Sequence, residues 1–115
     1  MANSGERDVS ALLPLPPAVF HILVSLATRD AHGYAIMQEI AARAGVRMGP
    51  GTLYTTIRRL LDQGMVEELR RAPAGEADDP RRRYYRLTSY GREAVRADAA
   101  RLADLVRQAR TMGLA

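Results

Sequence analysis

Apolar residues recur at helical spacing in four stretches of the chain and alternate in two short stretches between the third and the fourth. The first helical stretch, AVFHILVSLA after Pro17, is apolar on nearly every side: Phe20, Leu23, Val24 and Ala27 mark one face, and Val19, Ile22 and Leu26 another. Such a helix needs cover on two sides. The LPLPP before it reads as an extended lead-in, with Pro17 suited to a first helical turn. TRDAHG reads as a turn. YAIMQEIAARAG reads as a second amphipathic helix that turns Ile36, Met37 and Ile40 inward and stops at Gly45. The third begins at Pro50 and closes at Gly64. Leu53, Ile57, Leu60 and Leu61 form its buried stripe, which leaves Thr52, Tyr54, Thr55, Thr56, Arg58 and Arg59 to the other faces. MVEELR and RRRYYRL are expected to be strands of a hairpin joined by RAPAGEADDP, with Tyr85, in phase with Leu87, in the core and Tyr84 more exposed. A last helix starts after Thr88 as N-cap and carries Val95, Ala99, Leu102, Leu105, Val106, Ala109 and Met112 as one apolar stripe.

These elements divide the chain into a flexible tail (residues 1–11), a compact unit of three helices and a hairpin (12–87) and a C-terminal helix (88–115). The fold class is mainly α with a small β-hairpin. At 115 residues there is room for one domain with a modest core. Nothing in so small a unit can cover both the first helix and the last. A two-fold homodimer is therefore expected, its interface formed by Val95, Ala99, Leu102, Leu105, Val106 and Ala109. An effector pocket, if there is one, is expected at that seam, lined by Phe20, Leu23, Val24, Leu102 and Val106. Close packing with no cavity is the alternative.

Charge changes the picture next. Seventeen basic residues, every one an arginine, face 13 acidic residues, for a net charge of +4 and a pI near 10.1. Arginine favours planar, bidentate contact with phosphate and guanine edges. From Gly45 to Leu61 the chain carries Arg47, Arg58 and Arg59 and no acid. The absence of cysteine excludes disulfides and thiolate metal sites. No apolar run approaches the roughly 18 residues of a membrane span, and the N-terminus lacks a secretory pattern, so a cytoplasmic protein is expected. No phosphate loop follows a strand, no nucleophile elbow is present, and neither His21 nor His32 belongs to a cluster with metal spacing. An enzyme, a metal and a cofactor are all set aside.

Three helices followed by a hairpin is the order of a winged helix-turn-helix, in which the third helix enters the DNA major groove and the hairpin lies along the backbone. At the start of that helix, free N–H groups favour a phosphate, and Thr52, Tyr54 and Thr55 are placed to approach base edges. Arg58 and Arg59 follow one to two turns on. The hairpin adds Arg82 and Arg83 among six arginines flanking its tip. Each feature also has a plainer reading: capping threonines, a solvated arginine face, a packing role for Tyr54. A winged helix that binds protein partners instead of DNA is the competing function, and the acid-free basic stretch weighs against it.

HGYAIMQEI (32–40), GTLYTTIRRLLDQGMV (51–66) and RRRYYRLTSYGREAV (81–95), in this order and spacing, resemble the characteristic blocks of the PadR family of bacterial transcriptional regulators. The resemblance implies a winged-helix homodimer that represses promoters on double-stranded DNA and releases it when a small-molecule effector or another signal acts, and the two-fold symmetry of such a dimer calls for an inverted-repeat operator. It places Thr52, Tyr54, Thr55, Arg58 and Arg59 on the DNA-reading helix and Arg82 and Arg83 on the wing. Thr55 stands where members commonly have proline, and the single C-terminal helix resembles the short branch of the family.

Overall fold

The computed structural model describes residues 8–76 and 79–115. After a 3-10 turn at Ser10–Leu12 come α1 (Pro17–Thr28), β1 (Ala31–His32), α2 (Gly33–Ala44), α3 (Pro50–Asp62), β2 (Val66–Leu69), β3 (Tyr84–Leu87) and α4 (Ser89–Thr111). The four helices lie where the apolar periodicity puts them, and the mainly α class holds. Pro17 and Pro50 both occupy first-turn positions, where the missing N–H costs no hydrogen bond. Gly45 ends α2 with φ 68°, and its N–H donates to the Ala41 carbonyl. The Thr88 hydroxyl accepts from the Gly91 N–H and so caps α4.

The sheet departs from the expected hairpin. It has three antiparallel strands in the order β1-β3-β2, with Ala31 opposite Tyr85, His32 opposite Tyr84, and Val66 opposite Leu87. The segment read as a turn thus supplies an edge strand and makes β3 central. That corrects the expectation for Tyr84, which is 3% exposed, as is Tyr85. The His32 ring stands edge-on to Tyr84 with centroids 5.4 Å apart and covers the face that a two-stranded hairpin would leave open. His32 also caps α2, its Nδ1 accepting from the Ala35 N–H at 3.2 Å. Burial, then the charge of Arg82, holds its pKa below the ordinary 6.5.

The core gathers Ile22, Leu23 and Leu26 of α1, Ile36 and Ile40 of α2, Leu53, Ile57 and Leu60 of α3, and Met65, Val66, Tyr85 and Leu87 around the sheet. Val9, Leu12 and Leu13 pack against it, so the end of the expected tail is ordered; residues 1–7 lie outside the described part. Two glycines mark close approaches. A Cβ on Gly33 would collide with the hydroxyl end of Tyr54, and one on Gly91 with the Met65 carbonyl oxygen. At the latter junction the Thr88 N–H donates to Met65 O at 3.1 Å and the Thr88 hydroxyl donates to Gly64 O at 2.6 Å. Asp98 is buried on α4 and paired with Arg101 at 2.6 Å.

Candidate nucleic-acid interface

The outward face of α3 presents Thr52, Tyr54, Thr55, Arg58 and Arg59, all exposed, with Leu53, Ile57 and Leu60 fixing the opposite face in the core. Gly49 offers no side chain to cap the helix, so the N–H groups of the first turn are left to other partners. Thr56 is half-buried and its hydroxyl donates to the Thr52 carbonyl at 2.6 Å, which removes it from the outward set. Tyr54 is 44% exposed and rests on Gly33 at the start of α2. The glycine of HGY and the tyrosine of GTLY therefore explain each other. Tyr54 spaces α2 from α3 and still shows an edge to the outside.

Between α3 and the sheet runs an open groove of about 720 Å³. Tyr34, Tyr54 and Arg58 stand on one side, and Glu68, Arg82, Arg83 and Tyr85 on the other. Burial, then the nearby Glu68 carboxylate, raises the pKa of Tyr85, so its hydroxyl stays protonated. Arg47 lies on the connection between α2 and α3 beside a smaller hollow of about 230 Å³ that also touches His21, Met48 and Thr52.

The arginines fall into two electrostatic groups. Arg47, Arg58 and Arg59 pair with no carboxylate among the described residues, so their charge is uncompensated. The wing arginines are held. Arg83 donates to both oxygens of Glu68 at 3.2 and 3.4 Å, Arg81 to Asp79 at 3.2 Å, and Arg82 lies 3.8 Å from the same carboxylate. The backbone N–H of Arg81, then its guanidinium, keeps Asp79 below the usual carboxylate range. Arg86 leaves the wing set altogether: it clamps Asp30 at 3.0 Å beside β1 and reaches Glu67 at 3.9 Å. Proximity along the chain groups these arginines together. Their partners lie up to 56 positions away and give no sequence signal.

On α4 the apolar stripe is split. Val95 is 7% exposed and belongs to its own protomer's core, so its place in an intersubunit contact is corrected. Ala99, Leu102 (38%), Leu105 (47%), Val106 (45%) and Met112 stand open, and Ala109 is half-buried. Phe20 and Val24 of α1 are half-buried. Leu23 is walled in completely and cannot line an effector pocket, another correction to the sequence reading. Among the described residues no helix is long and apolar enough to cross a membrane, and no group of three His, Cys, Asp or Glu side chains could hold a metal.

The model of the PadR-like family of transcriptional regulators matches residues 22–97. The transcriptional regulator Rv3488 of Mycobacterium tuberculosis is 40% identical over 88 residues, which span 76% of this chain and 78% of that protein. A PadR family regulator from Clostridium difficile R20291 superposes with a TM-score of 0.70 at 19% identity, covering 83% of this chain and 96% of that one. A PadR family regulator from Eggerthella lenta gives a TM-score of 0.65 at 28% identity, covering 82% and 79%. These proteins are named as regulators, not enzymes.

Proposed function

Because this chain belongs to the PadR-like family of transcriptional regulators, we propose that it acts as a two-fold dimeric repressor that reads an inverted-repeat operator through α3. The observation that carries the reading is the outward face of α3: short hydroxyls and one tyrosine at the helix start, then two arginines without carboxylate partners among the described residues. Thr52, Tyr54 and Thr55 meet base edges, where side chains at the start of such a helix reach the major groove. Arg47, Arg58 and Arg59 neutralise phosphates, and Arg82 and Arg83 do so from the wing.

The dimer forms through the open stripe from Ala99 to Met112 against the partner's α4 and the Phe20–Val24 edge of its α1. Its two α3 helices then enter successive major grooves on one face of the duplex, so half-sites repeat with centres about one turn apart. Release follows a small molecule or another signal at the seam, where Phe20, Val24, Leu102 and Val106 supply apolar walls.

Footprinting of the DNA upstream of the gene, followed by titration of single variants, tests the reading. Thr55→Ala is expected to lose on the order of 1–3 kcal/mol on the operator and little on random DNA, whereas Arg58→Ala weakens both alike. Equal losses from Thr55→Ala on both DNAs would mean that α3 positions the protein without reading sequence. An absence of salt-dependent DNA binding would turn the surface over to a protein partner.

A further inference from the structure

His32 belongs to three parts of the structure at once. Its backbone pairs with Tyr84 on the edge of the sheet, its ring stands edge-on to the Tyr84 ring at 5.4 Å, and its Nδ1 accepts the Ala35 N–H at 3.2 Å to cap α2. The cap fixes the chemistry of the ring. A ring nitrogen that accepts carries no hydrogen, so the neutral imidazole holds its proton on Nε2, and the place left for a second proton is the capping lone pair itself. Protonation and capping therefore exclude each other.

Each side of this residue leads to a different part of the DNA-binding surface. The first turn of α2 seats Tyr54, whose hydroxyl end lies where a Cβ on Gly33 would stand. The hydroxyl of Tyr84 receives a hydrogen bond from the Arg82 guanidinium. His32, Tyr54 and Arg82 all line the groove between α3 and the wing. Of the charges around the ring, Arg82 opposes a positive imidazole and Glu76 favours one. Arg81 and Arg83 of the wing, Arg58 and Tyr54 of α3, Tyr34 of α2, Tyr85 of β3 and Glu68 of β2 share the groove, and the Glu68 carboxylate is turned to Arg83. A cation formed on His32 thus faces a wall rich in arginine.

We propose that His32 is a positioning residue for DNA binding and makes it acid-sensitive: a proton on Nδ1 uncaps α2 and drives the ring from Arg82, so that Tyr54 and Arg82 lose their common support and the duplex is released. This rests on the DNA-binding reading above and names a signal, the proton, that acts away from the dimer seam. Burial, then Arg82, holds the pKa below 6.5, so the support is intact at neutral pH and is lost as the pH falls through that lowered value. Charge alone would act the other way, because one more cation beside the groove strengthens attraction to phosphate. The sign of the response separates the two.

Anisotropy of a labelled random duplex, at constant ionic strength from pH 7.5 to 5, compares the full wild-type chain with His32→Asn, which keeps a capping oxygen and does not titrate. The two are expected to bind alike at pH 7.5. At pH 5 wild type is expected to have lost about five-fold in affinity per protomer relative to the variant, the size of one lost cap. NMR of the wild-type chain without DNA supplies a second readout that needs no variant: the Ala35 amide and the Arg82 Nε–H are expected to shift in one step with the His32 ring. Equal pH dependence in the two proteins would overturn the proposal, as would tighter binding by wild type in acid or an Ala35 amide indifferent to the ring. Wild type that binds no duplex at pH 7.5 fails the DNA reading, and the Ala35 and Arg82 resonances then decide the coupling by themselves.

Discussion

Glu68→Gln is expected to tighten DNA binding, because the carboxylate holds a wing arginine that a phosphate would otherwise take. At the 3.2 Å separation of Arg83 and Glu68, the Coulomb attraction in water is about 1.3 kcal/mol. With the two side chains 72% and 38% exposed, screening and the ordering of two long side chains leave about 0.5 kcal/mol to be overcome. One wing then gains about two-fold in affinity, and two wings in a dimer about five-fold. The assay is anisotropy of a labelled random duplex, with Glu68→Gln measured in wild type and in an Arg83→Ala background. The gain is expected to shrink when Arg83 is absent. The salt slope follows the same logic: Arg83→Ala lowers it by about one unit in the Glu68→Gln background and by less in wild type, where Arg83 is already neutralised. An equal gain from Glu68→Gln in both backgrounds would refute the argument, since Glu68 would then act through its charge alone and not through Arg83.

Leu102→Glu places a carboxylate in the open stripe of α4; loss of dimer in sedimentation together with loss of operator binding is expected, and a variant that stays dimeric places the interface elsewhere. Gly91→Ala drives a methyl into the Met65 carbonyl and should cost about 3 kcal/mol in urea unfolding. Gly33→Ala meets only the far end of the Tyr54 ring, so its smaller loss is expected to be rescued by Tyr54→Ala, and a failure of rescue would break the link between the two motifs. His32 has its folded pKa depressed below 6.5, so its contribution is present above that value and declines as the pH falls through the folded pKa. Protonation also removes the acceptor that caps α2. Thermal melts from pH 7.5 to 5 are expected to show a fall in stability that His32→Asn, which keeps a capping oxygen, largely abolishes.

The helices were legible because each carries three or more apolar residues at helical spacing and ends at a recognisable stop, as α2 does at Gly45. β1 was not: two residues have no period to detect, and Ala31 and His32 become a strand only because β3 has a free edge beside them. The error at Tyr84 follows directly, since alternation along one strand says nothing about the adjacent edge strand, whose His32 ring covers Tyr84. On α4 helical spacing cannot tell which residues of the stripe meet their own core and which stay open: Val95 joins the core, while Leu102, two turns on, is exposed. The α3 face was placed well because the buried stripe fixes its opposite. The division between free and held arginines was hidden, as it depends on where folding brings Glu68, Asp79 and Asp30.

The joint at Gly91 makes α4 a crank for the rest of the molecule. Thr88 is fastened through both its backbone and its hydroxyl to Gly64 and Met65, immediately beyond the last turn of α3, and the bare backbone of Gly91 sits directly on Met65. That close approach leaves no room for a side chain at the joint. A tilt of α4 of a few degrees about this joint therefore carries the far end of α3 with it, while the open part of α4, some 10 residues further along, sweeps through a larger arc. Two chains leaning together along those open arms would convert a small change in how the arms cross into a change in the gap between their α3 helices. In the proposed dimer, the ruler for half-site spacing would then lie at the joint between α4 and the turn after α3, away from the α3 face proposed to meet bases.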